Sequence, residues 1–522
     1  MASMDKFMIT NWCGVPHKFV RNADGSVAVD RFREVAESGI NLVVAYDYGY
    51  KTNCEMLAAC HEIGLRVTLC DERIDKALAL MAKAIHLTGK KNFLEIKATH
   101  NILRKGHVEQ FLQKIAHSFE NLARDAETWE LGSCLYLQEL LVANETEIHN
   151  KTNVEGTDCL EGLSEEKRKI VREIADIHHG TAKYVDAVDL LHEVVRDYSG
   201  YPALLGYHIV DEPNSGAFPA LAEIREMLSE LDPVHESYFN LFPNYATKEM
   251  LGNPTYYDHL YEFVTKVKPE ILSYDHYHFI KGKPMEQVKF EDERQNQIFA
   301  AAFQKVERAG FFDNIEDAKA VSEQTGVPFM VIILVTEHGP YRNLTEAEIR
   351  WEVFQSLCYG AKRISYFTYW TPGVDRDEGD DFWHWKNGMI AQDGTRNAHY
   401  HMVARINREL QAMGDILLPH KVQEVLHVGN EPDKKVRYWQ GSHGAVTALE
   451  ASRLTVGFFE CGYVLLASKD YETTQTVRFA VEDGRTVSRY NKASGIWQTA
   501  ELTDGFVTLD LAAGDGELFR IV

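Results

Sequence analysis

Two glutamates follow directly on apolar runs of the kind that form buried strands. Glu212 ends the stretch GYHIVDE, and Glu337 follows the run VPFMVIILVT. Two carboxyl groups that face one glycosidic bond from opposite sides can act as acid and nucleophile, with retention of configuration at a separation of about 5–5.5 Å. Asp211 stands beside Glu212, and neighbouring carboxylates raise at least one pKa of the pair, which suits a general acid.

Other polar and aromatic residues follow predicted strands in the same way, and their types suit sugar binding. Aromatic rings offer apolar faces to the C–H faces of sugars, while carboxylates and amides hydrogen-bond to hydroxyl groups. We predict that the following residues line the substrate site: Trp12, Asp47, Tyr48, Asp71, Arg73, Asp211, Asn214, Asn240, Asp275, His276, Tyr277, His338, Tyr369 and Trp370.

A repeated local pattern predicts the elements that position these residues. A helical run ends at glycine and an apolar strand follows, as in DRFREVAESG before INLVVAYD. Eight such strands are predicted, at about 7–13, 40–47, 65–71, 205–212, 237–243, 271–278, 328–337 and 364–370. This number predicts a (β/α)8 barrel, in which chemistry occurs at the C-terminal strand ends. The alternative is a doubly wound sheet, but the first strand leads into NWCGVPHKF and not into a GxGxxG loop.

Two further regions depart from the barrel pattern. Residues from about 74 to 200 are predicted to form a helical insertion after the third strand, acting as a lid, an oligomer contact or a decoration without chemistry. From 416 to 522 short alternating runs separated by turn residues predict an antiparallel β-sandwich. The predicted domains are therefore a barrel over 1–415 and a sandwich over 416–522, and a homo-oligomer would form through the insertion or the sandwich.

The composition limits the partners. The net charge of −23 argues against nucleic acid or an anionic membrane surface, because both require a basic face. No apolar run is long enough to span a membrane, and the N-terminus lacks the pattern of a secretion signal. The eight cysteines are scattered and form no CxxC pair, which favours the cytoplasm and gives no zinc site. We expect a carbohydrate substrate and neither a metal nor another cofactor.

The layout resembles the clan A glycoside hydrolases, (β/α)8 enzymes that include β-galactosidases and cellulases. The likeness rests on Asp211-Glu212-Pro213, Glu337, Trp370 and the stretch IRWEVFQSLCYGAKRISYFTYWTP. It implies that Glu212 is the acid/base, that Glu337 is the nucleophile and that Trp370 lies under the sugar of a β-linked glycoside. The clan commonly has asparagine before the acid/base, and Asp211 cannot donate a hydrogen bond while it is ionised. We also expect Tyr277 or His276 to donate a hydrogen bond to Glu337.

Two alternatives remain open at this stage. One is a metal-dependent barrel isomerase or aldolase, for which acidic and histidine side chains at strand ends would be ligands. Its candidate ligands are Asp71, Glu72, Asp275, His276, His278, Glu337 and His338. The other is a carbohydrate-binding protein without catalysis, because a fold alone does not define an activity.

Overall fold

A computed structural model of the protein describes residues 6–103, 165–284, 303–373 and 383–522. The first ten strands are β1 (Met8–Asn11), β2 (Leu42–Ala45), β3 (Arg66–Leu69), β4 (Leu204–Asp211), β5 (Glu236–Asn240), β6 (Leu272–Asp275), β7 (Phe279–Pro284), β8 (Phe303–Glu307), β9 (Phe329–Leu334) and β10 (Arg363–Phe367). Eight of them form one parallel sheet in the order β5-β4-β3-β2-β1-β10-β9-β6.

This sheet closes on itself into a barrel. Its two end strands meet where Leu241 forms a parallel bridge with Tyr274, and the Leu241 amide donates to the Ser273 carbonyl at 3.0 Å. The barrel interior is apolar and includes Val44, Tyr238 and Ile332. All eight predicted barrel strands are confirmed. Seven are shorter than predicted, and β4 has the predicted length but lies one residue earlier.

The described residues include ten α-helices: α1 (Val29–Glu37), α2 (Tyr50–Glu62), α3 (Glu72–Leu103), α4 (Glu165–Tyr198), α5 (Phe218–Leu231), α6 (Lys248–Leu251), α7 (Tyr256–Val267), α8 (Phe311–Thr325), α9 (Glu346–Cys358) and α10 (Ala398–Leu417). Local sequence signals define several ends. Thr345 and Glu348 form a capping box at the start of α9. Gly326, with φ of 77°, ends α8 in the left-handed conformation that glycine adopts most readily.

The residues between β3 and β4 form a compact unit of their own. Its described parts, 73–103 and 165–193, belong to the long helices α3 and α4. Within it the ring of Phe93 packs edge-on against Tyr184 at 5.6 Å. The middle of the predicted insertion, 104–164, lies outside the described residues, so the insertion as a whole remains a prediction.

The C-terminal region is a sandwich of two antiparallel sheets, as predicted. Its strands are β11 (Val422–Val428), β12 (Val446–Glu450), β13 (Leu454–Phe459), β14 (Tyr463–Ser468), β15 (Gln475–Val481), β16 (Val487–Asn491), β17 (Ile496–Thr499), β18 (Phe506–Leu511) and β19 (Gly516–Ile521). Six form the sheet β11-β13-β14-β19-β16-β17 and three form β12-β15-β18. Phe479 and Phe519 pack across the two sheets with ring centroids 5.1 Å apart.

Strands β7 and β8 form an antiparallel hairpin outside the barrel sheet, between β6 and β9. This hairpin was not predicted. It contacts the loop after β9, because Ile280 forms a bridge with Tyr341 and the Lys281 amide donates to the Pro340 carbonyl at 2.6 Å. The sandwich fixes the chain just beyond the hairpin, since the Asp433 carboxylate accepts from the Gly310 amide at 2.7 Å.

Among the helices in the described part of the chain, none combines the length and the hydropathy that a membrane crossing requires.

Candidate active site

An acidic cluster lies where three adjacent barrel strands end. Asp211 ends β4, Asn240 ends β5 and Asp275 ends β6. The Asn240 amide nitrogen donates to one carboxylate oxygen of Asp211 and one of Asp275, at 3.0 Å each. The Ser273 hydroxyl donates to the Asn240 carbonyl oxygen at 2.9 Å, which fixes the orientation of the amide. Asn240 therefore holds two carboxylates close together at the barrel mouth.

Glu212 belongs to this cluster and has an unusual backbone. Its φ is 46°, in the left-handed region that residues other than glycine rarely occupy and that often marks functional sites. Its amide donates to the Asn240 carbonyl oxygen at 2.8 Å, so the turn off β4 is tied to β5. Its carboxyl group lies near enough to Asp275 for the two groups to influence each other's pKa.

This environment favours the protonated form of Glu212. Burial raises its pKa, and the negative charges of Asp275 and then Asp211 raise it further. Burial also raises the pKa of Asp275, partly offset by the hydrogen bond from Asn240. Asp211 is exposed to solvent, yet partial desolvation by the surrounding protein raises its pKa as well, offset in part by the hydrogen bond from Asn240. The cluster therefore retains a proton, and Glu212 is placed to hold it.

Glu337 lies in a different environment, just after β9. Lys281 Nζ lies 3.2 Å from its Oε1 atom, and the Asn387 amide donates to Oε2 at 3.0 Å. The expected donors were Tyr277 or His276, but the bonds come instead from the hairpin and from the segment after β10. His276 is 1% exposed, and neither ring nitrogen has a hydrogen-bond partner among the described residues.

An aromatic wall adjoins Glu337. The ring of Tyr277 stacks on Phe367 at 5.4 Å, and His338 stacks on Trp385 at 4.1 Å. Phe367 and Trp385 lie 5.9 Å apart, which makes these four rings continuous. Burial lowers the pKa of His338 to about 4, so its ring is neutral near pH 7. Rings arranged in this way can present an apolar face to a sugar.

Trp12 lies over the barrel interior, where it packs edge-on against His208 at 5.4 Å and tilts against Tyr238 at 6.2 Å. Burial lowers the pKa of His208 to about 4. These three side chains form the floor of the mouth. Trp12 is therefore placed as predicted with respect to the strand ends, and its contact with a sugar remains a prediction.

Trp370 and Tyr369 lie deeper than expected. Trp370 is 1% exposed, and its ring packs on Phe19 at 4.8 Å with the Arg31 guanidinium 5.4 Å from the ring centroid. Tyr369 is fully buried. Strand β10 ends at Phe367, and this ring occupies the strand-end position that the resemblance assigned to Trp370.

Three further residues of the predicted set are engaged within the protein. Asp47 accepts from the Gly49 amide at 2.9 Å and the Glu72 amide at 3.0 Å. The Tyr48 hydroxyl donates to the Val15 carbonyl, and the Asn214 amide donates to two carbonyls of α6. These contacts fix loops around the mouth.

The two remaining members follow β3. Asp71 is buried at the strand end. Arg73 belongs to the helical unit, where it pairs with Glu193 at 3.8 Å.

Within ranges 6–103, 165–284, 303–373 and 383–522, no three His, Cys, Asp or Glu side chains are grouped so that they could hold a metal ion.

Comparison with known proteins gives similarity at the level of structure alone. No model of a known protein family matches the chain, and no curated protein matches it significantly. A β-galactosidase from the psychrophilic Marinomonas ef1 is 10% identical, with a TM-score of 0.40 over 79% of this chain and 61% of that one. An endo-β-1,4-mannanase from Thermotoga petrophila is 11% identical, with a TM-score of 0.36 over 97% and 91%. A glycoside hydrolase family 5 mannosidase from Rhizomucor miehei is 8% identical, with a TM-score of 0.40 over 79% and 94%. These values are too low to support an argument about function.

Proposed function

We propose that the protein is a retaining glycoside hydrolase that cleaves a β-linked glycoside or oligosaccharide. The observation that carries this proposal is the contrast between two glutamates at the barrel mouth. Glu212 lies among carboxylates that favour its protonated form. Glu337 receives a hydrogen bond from Asn387 and faces the ammonium group of Lys281. A general acid must be protonated and a nucleophile must be ionised, so such a pair requires two different environments.

The arrangement of the strands supports this assignment. Around the closed barrel β4 and β9 are separated by β5 and β6, so their ends approach the mouth from different sides. A sugar between them would have Glu212 on the side of the leaving oxygen and Glu337 below the anomeric carbon. The aromatic wall of Tyr277, Phe367, His338 and Trp385 would then contact the ring.

The proposed reaction has two steps. In the first, the Glu337 carboxylate attacks the anomeric carbon while Glu212 donates its proton to the leaving oxygen, which gives a glycosyl ester of Glu337. Glu212 is then a carboxylate beside Asp211 and Asp275, and the repulsion makes it a stronger base. In the second step Glu212 removes a proton from water, which attacks the anomeric carbon and releases Glu337.

Hydrolysis of a panel of nitrophenyl glycosides and β-linked oligosaccharides tests this proposal, with Glu212→Gln as the comparison. Glutamine keeps the shape of the side chain but delivers no proton, so turnover of an unactivated glycoside should fall about 10²–10⁴-fold. Glu249→Gln is a matched control, because Glu249 is an exposed glutamate of α6. Sugar binding without turnover would favour the non-catalytic alternative, and a stoichiometric bound metal ion would favour the isomerase or aldolase.

A cytoplasmic location and a homo-oligomer through the insertion or the sandwich remain part of the proposal. Fractionation of the host cell and the mass of the purified protein in solution test them.

A further inference from the structure

The hairpin brings a second cation to the barrel mouth. Arg308 follows directly after β8, and its backbone amide donates to the His278 carbonyl at 2.7 Å. Its guanidinium lies over the ring of Tyr245 at 3.8 Å and near the ring of Tyr341 at 5.3 Å. Two tyrosines therefore hold the charged group, and cation–π attraction stabilises this position.

The guanidinium has no anionic partner. Throughout the part of the chain that the structure describes, Arg308 forms no ion pair, and its Nη1 atom is enclosed without a hydrogen-bond partner. The side chain as a whole keeps some exposure to solvent. Lys281, a lysine of β7, is already paired with Glu337. A partly buried positive charge without a partner is unfavourable, and such groups commonly meet their partner in a ligand.

Arg308 adjoins the proposed sugar site. Tyr341, which lies against the guanidinium, packs edge-on against Tyr277 at 5.1 Å, and Tyr277 belongs to the aromatic wall. Tyr245 is 38% exposed and Arg308 is partly exposed, so this pair of side chains reaches solvent.

We propose that Arg308 binds an anionic group on the substrate sugar, either the carboxylate of a hexuronic acid or a sulfate ester. This inference rests on the proposed glycosidase function and narrows its substrate class. Guanidinium groups bind carboxylates and sulfate-like oxyanions through paired N–H donors, and such charge-assisted bonds are stronger than neutral ones. The acidic cluster would repel the anionic group of the sugar, and Arg308 would attract it. Together they would orient the sugar with its anionic group towards Arg308.

The experiment compares three aryl β-glycosides: a hexuronide, a 6-sulfated hexoside and a neutral hexoside. Arg308→Gln should lower kcat/KM about 10–100-fold on the preferred anionic substrate, mainly through KM, and leave the neutral hexoside within about twofold. Arg308→Lys keeps the charge without the paired donors and should fall between. The preference of the wild type between hexuronide and sulfated hexoside identifies the anion. Arg520→Gln is the control, since it removes a guanidinium 5.5 Å from Tyr463 in the sandwich.

Binding separates this inference from the proposed function. Calorimetric titration with free hexuronic acid, 6-sulfated hexose and neutral hexose requires no turnover. If no glycoside is hydrolysed but the protein binds an anionic sugar through Arg308, the hydrolase proposal fails and this inference stands. Two results would overturn the inference and leave the hydrolase proposal intact. One is an equal loss of kcat/KM on anionic and neutral substrates in Arg308→Gln. The other is equal affinity of the wild type for all three sugars.

Discussion

Lys281 Nζ lies 3.2 Å from Glu337 Oε1, although Lys281 belongs to the hairpin and Glu337 follows barrel strand β9. Both side chains are mostly shielded, with 17% and 21% of their surfaces exposed. The same ammonium group also donates to the Gly339 carbonyl at 3.2 Å. The hairpin therefore contacts the proposed nucleophile directly through Lys281. Loss of the Lys281 ammonium group should affect the reaction.

The substitution Lys281→Met tests this relationship. It keeps the length of the side chain but removes the charge, so the Glu337 carboxylate loses its strongest donor. We expect kcat/KM to fall about 10–100-fold on glycosides, with unchanged stereochemistry. Steady-state kinetics measure this effect, and Lys248→Met in α6 is the exposed control. Wild-type kinetics in Lys281→Met would show that the ion pair has no part in the reaction.

The pH dependence of activity should follow the acidic cluster. Burial, then Asp275 and then Asp211 raise the pKa of Glu212. A general acid acts only while protonated, so kcat/KM should fall as pH rises through this raised pKa. Asp211→Asn and Asp275→Asn each remove a negative charge and should move this alkaline limb to lower pH. The shift should be larger for Asp275→Asn, because the charge of Asp275 raises the Glu212 pKa more than that of Asp211 does. A limb that stays in place in both variants would belong to another group.

The same raised pKa affects stability. An unfolded glutamate titrates near 4.5, whereas folded Glu212 keeps its proton to higher pH. Between these two values the folded state holds more protons, so its free energy of unfolding falls as pH rises. Glu212→Gln cannot titrate and should lose this part of the pH dependence. Urea unfolding of both proteins at pH values from about 4 to about 9 measures this pH dependence. A constant stability difference between them across the range would contradict the raised pKa.

The sequence predicts the frame of the site well and its contacts less well. Apolar runs followed by a charged residue were sufficient to locate β4 and β9. A strand in a barrel wall must be apolar, whereas the residues at its end can be charged. The hairpin carrying Lys281 was missed because HFIKGKP lacks a clear alternation of apolar and polar residues. In SYFTYW, four aromatic residues fall within five positions, and periodicity does not define which of them ends the strand. Partners distant in sequence, such as Asn387 and Trp385, carry no local signal at all.

The sequence resemblance places Trp370 under the sugar, whereas the structure places Phe367 at the end of β10. Substitution of each residue compares the two assignments. Phe367→Leu removes a ring of the proposed wall with little loss of apolar volume, and KM should rise roughly 3- to 10-fold. Trp370→Phe leaves a cavity beside Phe19 and Arg31 and should lower the free energy of unfolding by about 1–3 kcal/mol, with KM unchanged. Kinetics and urea unfolding of both variants separate the two roles. A rise in KM confined to Trp370→Phe would restore Trp370 as the residue under the sugar.

The stereochemistry of hydrolysis tests Glu337 as the nucleophile. A covalent glycosyl–Glu337 intermediate inverts the anomeric carbon twice, so the first sugar released should have the configuration of the substrate. Proton NMR of the early reaction measures this outcome before the product mutarotates. In Glu337→Ala the carboxylate is absent, and azide should enter the space, attack the anomeric carbon and restore turnover with a glycosyl azide as product.

Two controls make this test specific to Glu337. Azide should not form the inverted azide in Glu212→Gln, because that variant keeps the nucleophile and lacks only the proton donor. Glu337→Gln should be as inactive as Glu337→Ala but resist rescue, since the amide fills the space that azide needs. Clean inversion by the wild type would remove Glu337 as nucleophile. It would then be a general base that activates water, with the two carboxyl groups about 6.5–9.5 Å apart, and Lys281 would orient that base instead of the attacking carboxylate.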